Sequence, residues 1–178
     1  MFNLELSEIV ILLLVISFFT IVQSVFGVGL LVFGTPTMLL LGYSFPETLS
    51  YLLPPSIIVS FLQVYKGWDQ TVLYRFNVII YILPMVVIGL LLAMYFFNLN
   101  LHLIIGLMLL FTSLTRFSKM LNKYLEYYLS NNFKVGLLFT GIIHGLTNLG
   151  GAPLVIITNG IYKNKKEIQP NIAYAYLF

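Results

Sequence analysis

Cysteine is absent from the sequence. No disulfide framework, thiolate metal site or cysteine nucleophile is therefore available. Charge is scarce as well: Asp, Glu, Lys and Arg make up 8% of 178 residues, against roughly 25% in an average soluble domain. A soluble chain so poor in charge could not cover its own surface. The sequence holds no Gly-x-x-x-x-Gly-Lys-[Ser/Thr] loop, so it carries no ATP site of that kind. It holds no His-Glu-x-x-His and no Gly-x-Ser-x-Gly. No catalytic residue, metal site or cofactor is expected. The first eight residues contain Glu5 and Glu8 and no base. They lack the basic region of a secretory signal, and the first apolar run reads as a retained membrane helix.

What is present is apolar. Hydrophobic residues make up 60% of the chain. They fall into runs at Ile9–Phe26, Val28–Leu41, Thr48–Val64, Asn77–Phe97, Leu101–Thr115, Lys134–Leu149, Ala152–Tyr162 and Ile168–Phe178. This predicts an all-α polytopic membrane protein in a lipid bilayer. Asn77–Phe97 is the clearest span. Its 13 Leu, Ile, Val and Phe residues each favour insertion by roughly 0.3–0.6 kcal/mol, and Pro84 is expected to kink it. Two runs are too short to cross. At 1.5 Å per residue Val28–Leu41 reaches about 21 Å and Ala152–Tyr162 about 16 Å, against a hydrocarbon core of about 30 Å. Each follows glycines, Gly27 and Gly29 or Gly150 and Gly151. They read as half-helices behind a break, or as arms of re-entrant hairpins.

The loops predict an orientation. With the N-terminus outside, all nine basic residues lie on the cytoplasmic side: Lys66, Arg75, Arg116, Lys119, Lys123, Lys134, Lys163, Lys165 and Lys166. That distribution fits the positive-inside rule and places the chain in the cytoplasmic membrane. The net charge of +3 is thereby assigned to topology, and no nucleic-acid partner is expected. Arg116–Phe133 differs from the spans. Phe117, Met120, Leu121, Tyr124, Leu125 and Tyr128 recur at helical spacing, with Lys119 and Lys123 on another face and Glu126 three residues past Lys123. It reads as an interfacial amphipathic helix or a plain helical connector.

An internal repeat underlies the pattern. Aligning Gly29 with Gly150 sets Gln23 opposite His144 and Gly27 opposite Asn148. Glu47 and Glu167 then precede the next helix in each copy. Under the predicted orientation the copies are inverted, and paired glycine-broken helices in inverted repeats point to a transporter's binding site. The physical reason is that a broken helix exposes N–H groups and partial positive charge at the start of its second half. An anion can bind there without a buried Lys or Arg. The organisation expected is a first repeat at 1–97, a connecting helix and amphipathic linker at 98–133, and the start of a second repeat at 134–178. A full second copy would extend to about residue 218, so this repeat is expected to be C-terminally incomplete.

At the breaks the sequence resembles the sulfite exporter TauE/SafE family of membrane permeases. The resemblance rests on Gly27-Val-Gly29 with Gly34-Thr-Pro36 and Gly42, and on Gly141-x-x-x-Gly145 with Gly150-Gly151-Ala-Pro153. It implies transport of sulfite, sulfonates or related organosulfur anions across the cytoplasmic membrane.

The candidate substrate-binding residues are Gln23, Gly27, Gly29, His144, Asn148, Gly150 and Gly151. His144 is the imidazole deep in a predicted segment. It is a substrate contact or proton-coupling group, or else a hydrogen-bonded packing residue. Gln23, Ser24, Thr147 and Asn148 either line a site or cap helix ends. Ser56, Ser60 and Gln63 share one helix face and line a pathway or mediate helix contacts. Gly141 and Gly145 also suit close helix packing. His102 is expected to be structural. No Asp, Glu, Lys or Arg lies deep in a predicted span, which favours small anionic or neutral cargo. The alternatives are a permease for another small anion or neutral metabolite, and a non-transporting membrane subunit or truncated product. The composition is compatible with a homo-oligomer.

Overall fold

The computed structural model describes residues 6–95 and 100–177, without the side chains of 72–74 and 101–102. Residues 1–5, positions 98–99 of the loop expected outside, and the His102 side chain lie outside the described residues.

The described chain is helical throughout and has no strand. It begins with α1 (Leu6–Phe26), α2 (Leu30–Leu40) and α3 (Phe45–Lys66). A 3-10 turn (Trp68–Thr71), α4 (Val72–Asn77) and a π-helical turn (Val78–Ile82) lead into α5 (Leu83–Tyr95). Then follow α6 (Leu101–Phe117), α7 (Lys119–Asn131), α8 (Phe133–Thr147), α9 (Gly151–Ile161) and α10 (Lys165–Ala175). Leu6–Phe26, Phe45–Lys66 and Arg75–Tyr95 are each long and apolar enough to cross a membrane. The chain is a polytopic α-helical membrane protein.

Local chemistry explains the boundaries. Ser44 and Glu47 form a capping box at α3: the Ser44 N–H donates to Glu47 Oε2 at 2.8 Å, and the Glu47 N–H donates to Ser44 Oγ at 3.4 Å. α1 presents Ile9, Val10, Leu13, Leu14, Phe18 and Ile21 outward, as a lipid-facing helix does, and buries Leu12 and Gln23. Just before Pro84, where a kink is expected, stands a π-helical turn. There the Leu83 N–H reaches back five residues to the Val78 carbonyl, the longer loop of a π-bulge.

α5 and α8 form a tight seam. A Cβ at Gly89 would stand 2.6 Å from the Ile142 carbonyl, and one at Gly141 would stand 2.6 Å from the Ile82 carbonyl. A Cβ at Gly145 would run into the Val86 carbonyl. The Gly141/Gly145 pair thus serves backbone-to-backbone packing, the role small residues play between membrane helices.

α6 and α7 meet at 107°. α7 buries no residue fully and leaves Met120, Tyr124, Tyr127 and Tyr128 exposed. Glu126 accepts from Asn122 Nδ2 at 2.8 Å, one turn earlier on the same helix. The other side of α7 packs on α9, where a Cβ at Gly160 would stand 2.7 Å from the Glu126 carbonyl.

α2 and α9 share a register. Both have 11 residues, starting at 30 and 151 and ending at 40 and 161, an offset of 121 at each end. Each is preceded by a glycine N-cap, Gly29 or Gly150. The next helices start at 45 and 165, an offset of 120, behind the N-caps Ser44 and Asn164, so Glu47 and Glu167 lie within their first turns and not before them, where a carboxylate meets the free N–H groups.

Candidate functional site

The first break turns the chain sharply after α1. Gly27 has φ 80°, a left-handed conformation that a side chain disfavours. Gly29 serves a different need. A Cβ there would stand 2.7 Å from Val22 Cγ1 and 2.9 Å from the Gln23 nitrogen, so α2 returns directly against the end of α1.

Polar groups gather at this break around Gln23, which is fully buried, and Gln63 Oε1 beside them is buried without a partner. Its amide Nε2 lies 3.2 Å from Ser56 Oγ, 3.2 Å from Ser60 Oγ and 3.3 Å from the Ser56 carbonyl. Carbonyls at the end of α1 are capped by amides, although that of Gln23 also accepts from the Gly27 N–H at 2.8 Å. Gln63 Nε2 donates to the Gln23 carbonyl at 3.0 Å and to that of Ser24 at 3.3 Å. Gln169 Nε2, from α10, donates to the Ser24 carbonyl at 2.9 Å. The stripe Ser56–Ser60–Gln63 is therefore the hydrogen-bonding counterpart of Gln23 and joins α1 to α3. The Ser24 hydroxyl is spent on its own helix, donating to the Ile21 carbonyl at 2.7 Å.

The second break is built alike but is not closed alike. Asn148, with φ 62°, is the described non-glycine residue in the left-handed region. It ends α8 where Gly27 ends the turn after α1. Asparagine tolerates that conformation better than most residues. Its Nδ2 donates to Thr35 Oγ1 on α2 at 2.9 Å. The Thr147 hydroxyl donates to the Ile143 carbonyl at 2.7 Å and accepts from the Leu149 N–H at 3.2 Å, a helix-end cap.

His144 stands one turn before this break. Its Nδ1 is buried and meets no hydrogen-bond partner. Gly150 lies directly under the ring: a Cβ there would collide with His144 Cβ and stand 3.0 Å from the Thr140 carbonyl. Gly151 is held equally closely by the Tyr176 hydroxyl and by Val32 of α2. The Tyr176 ring makes an edge contact with His144, with centroids 5.7 Å apart and planes at 76°. The Tyr176 hydroxyl is buried without a partner. A cavity of about 10 Å³ lies among Thr140, His144, Gly150, Gly151 and Tyr176.

The two breaks are near each other but do not coincide. Val32 and Thr35, which meet the second break, lie three and six residues beyond Gly29. That is roughly 5–9 Å along α2. Of the residues singled out from the sequence, His144, Gly150 and Gly151 gather around one cavity. Gln23, Gly27 and Gly29 form the neighbouring break, and Asn148 connects the two. Sequence reasoning missed Tyr176 and Gln169. The repeat offered a signal for the former, since an offset of 120 sets Tyr176 opposite Ser56.

Basic residues collect at one end of the bundle. Lys66 and Lys166 line a cavity of about 520 Å³ with Ser24, Gln63, Gln70 and Gln169. Arg116 and Lys165 line a second, of about 380 Å³, with Val28 and Asn159.

Known proteins offer one kind of likeness. The sequence model of the family described as sulfite exporter TauE/SafE matches residues 12–168. No curated protein and no solved structure matches the chain.

Proposed function

Because the chain belongs to the sulfite exporter TauE/SafE family, a family of membrane transporters, we propose that it is a secondary permease for a small anion. Sulfite, a sulfonate or a related organosulfur anion is the class favoured, and the cytoplasmic membrane is the location. The carrying observation is the second break. There His144 Nδ1, without a partner, stands over the glycines that open α9. Such a helix start presents N–H groups and partial positive charge. It can hold an anion with no lysine or arginine buried in the bilayer. In lipid, backbone left open in this way belongs to protein-lined or water-filled cavities.

The electrostatics support the same reading. The cavities lined by Lys66 and Lys166, and by Arg116 and Lys165, raise the local concentration of anions at the end assigned to the cytoplasm. In this reading the family function is carried out by binding and alternating access, with no covalent chemistry, and the paired breaks belong to inverted repeats.

The test is uptake of radiolabelled sulfite by full-length protein in proteoliposomes. Saturable uptake above that of protein-free liposomes is expected, with loss of uptake in Gly150→Val at unchanged membrane insertion. His144→Gln, which leaves the glycines in place, is the milder variant and is expected to reduce uptake. Wild-type uptake no greater than in empty liposomes for sulfite and methanesulfonate would overturn the proposal.

A further inference from the structure

We infer that Tyr176 is a ligand-binding residue, whose hydroxyl donates to one oxygen of the bound oxyanion beside the start of α9. This rests on the permease reading above and adds to it a residue that neither the glycine pattern nor the family match singles out.

The inference comes from comparing two equivalent places. At the first break, the residue one turn before the turn is Gln23, and Ser56 of the following long helix faces it. At the second break the matching positions are His144 and Tyr176, displaced by 121 and 120 residues, and they too face each other. The first pair is saturated: the Gln23 amide reaches Ser56 and Ser60, and Ser56 Oγ returns a contact to Gln23 Oε1 at 3.4 Å. The second pair is open. His144 Nδ1 and the Tyr176 hydroxyl are both buried, and neither has a hydrogen-bond partner. Tyr176 as a whole is 5% exposed. Buried polar groups are paired in the great majority of cases, and each orphan calls for an explanation.

The surroundings identify what the orphans await. The hydroxyl abuts Gly151, the first residue of α9. The first helical bonds there are made by the Ala152 N–H to Leu149 and by the Leu154 N–H to Gly150. The N–H groups of Gly150 and Gly151 precede them, and Pro153 has none to offer. Tyr176, His144, Gly150 and Gly151 thus line, with Ile82 and Leu154, one cavity of about 10 Å³. That is close to the volume of one water-sized oxygen. A pocket of that size with an unpartnered hydroxyl on its wall suits one oxygen of a sulfite or sulfonate, the rest of the anion lying outside it.

The glycine at 151 fits this arrangement, since any side chain there would expel the hydroxyl. At the first break the equivalent position is Leu30, fully buried, which leaves no such opening. The paired orphans His144 Nδ1 and Tyr176 O–H therefore assign the oxyanion to the second break.

Tyr176→Phe removes the hydroxyl and keeps the ring against His144. In proteoliposomes, radiolabelled sulfite uptake by this variant is expected to show a KM about tenfold higher, the size of one charge-assisted hydrogen bond, with the maximal rate changed far less. Methanesulfonate, as a competing ligand, should weaken in parallel. Unchanged KM and unchanged competition in Tyr176→Phe, with uptake lost in Gly150→Val, would overturn the Tyr176 assignment alone. A wild-type protein that transports neither anion would overturn the permease reading and this inference with it. Equal loss of maximal rate with no change in KM would assign the hydroxyl to structure and would also overturn it.

Discussion

Asn148 donates from Nδ2 to the Thr35 hydroxyl at 2.9 Å, joining the second break to the short helix behind the first. Both groups are buried. Asn148→Gly keeps the left-handed backbone available and removes the bond, leaving Thr35 unpaired. A loss of about 1–3 kcal/mol is expected. Asn148→Ala adds the cost of a Cβ at φ 62°, about 1–2 kcal/mol more. Denaturant unfolding in detergent would rank the variants. An alanine variant as stable as the glycine one would contradict a role for the left-handed turn.

The α5–α8 seam gives a second expectation. Gly145→Ala places a methyl group on the Val86 carbonyl and must push two backbones apart, costing roughly 1–3 kcal/mol. Gly106→Ala on α6 meets nothing within 4 Å and should be neutral or stabilising by up to about 1 kcal/mol. Thermal melts of the two variants, side by side, separate packing from helix propensity.

The Gln23 cluster predicts a graded pair. Ser60→Ala leaves Gln23 its contacts with Ser56 and should cost about 0.6 kcal/mol, the average for such bonds between membrane helices. Gln23→Ala removes the hub and leaves a gap in a fully buried position, so it should cost about 2 kcal/mol or more. Sulfite KM should change little in Ser60→Ala. A KM shift as large as that of Tyr176→Phe would show that the first break also binds ligand.

Topology is testable in a chain without cysteine. Single cysteines at Asp69, Asn100 and Asn164 can be challenged in whole cells with an impermeant thiol reagent. Labelling at 100 alone is expected from the placement of all nine basic residues on the cytoplasmic side. Labelling at 69 or 164 with protection at 100 would reverse the orientation.

Much of this architecture is legible in the sequence because lipid leaves the backbone few options. The run Val28–Leu41 corresponds to Leu30–Leu40, and Ala152–Tyr162 to Gly151–Ile161. The run Thr48–Val64 falls within α3, whose Ser44–Glu47 box starts it three residues earlier. The division of labour between the breaks is not legible. Glycine at 29 and at 150 looks the same in one dimension, yet the first admits Val22 and the second admits His144. Nor does spacing reveal that Gln23 would use up the Ser56–Ser60–Gln63 stripe while His144 would face a tyrosine. Those outcomes depend on which long helix docks against which break, and on contacts more than 30 residues apart.

The amide of Gln169 on the Ser24 carbonyl spans 145 positions of sequence, and that of Asn171 on the Gln70 carbonyl spans 101. Pro170 sits between them against Gly67. During synthesis the N-terminal helices enter the bilayer long before α10 leaves the ribosome. Until then the end of α1 has only Gln63 to cover it, and the turn at Gly67 has no proline to lean on. Insertion and closure are thus separate events in time, and α10 is the latch that ends the wait. Non-local pairing of this kind is slow to form, so a nascent chain stalled before Lys165 should be membrane-embedded yet still open to protease at Gly27.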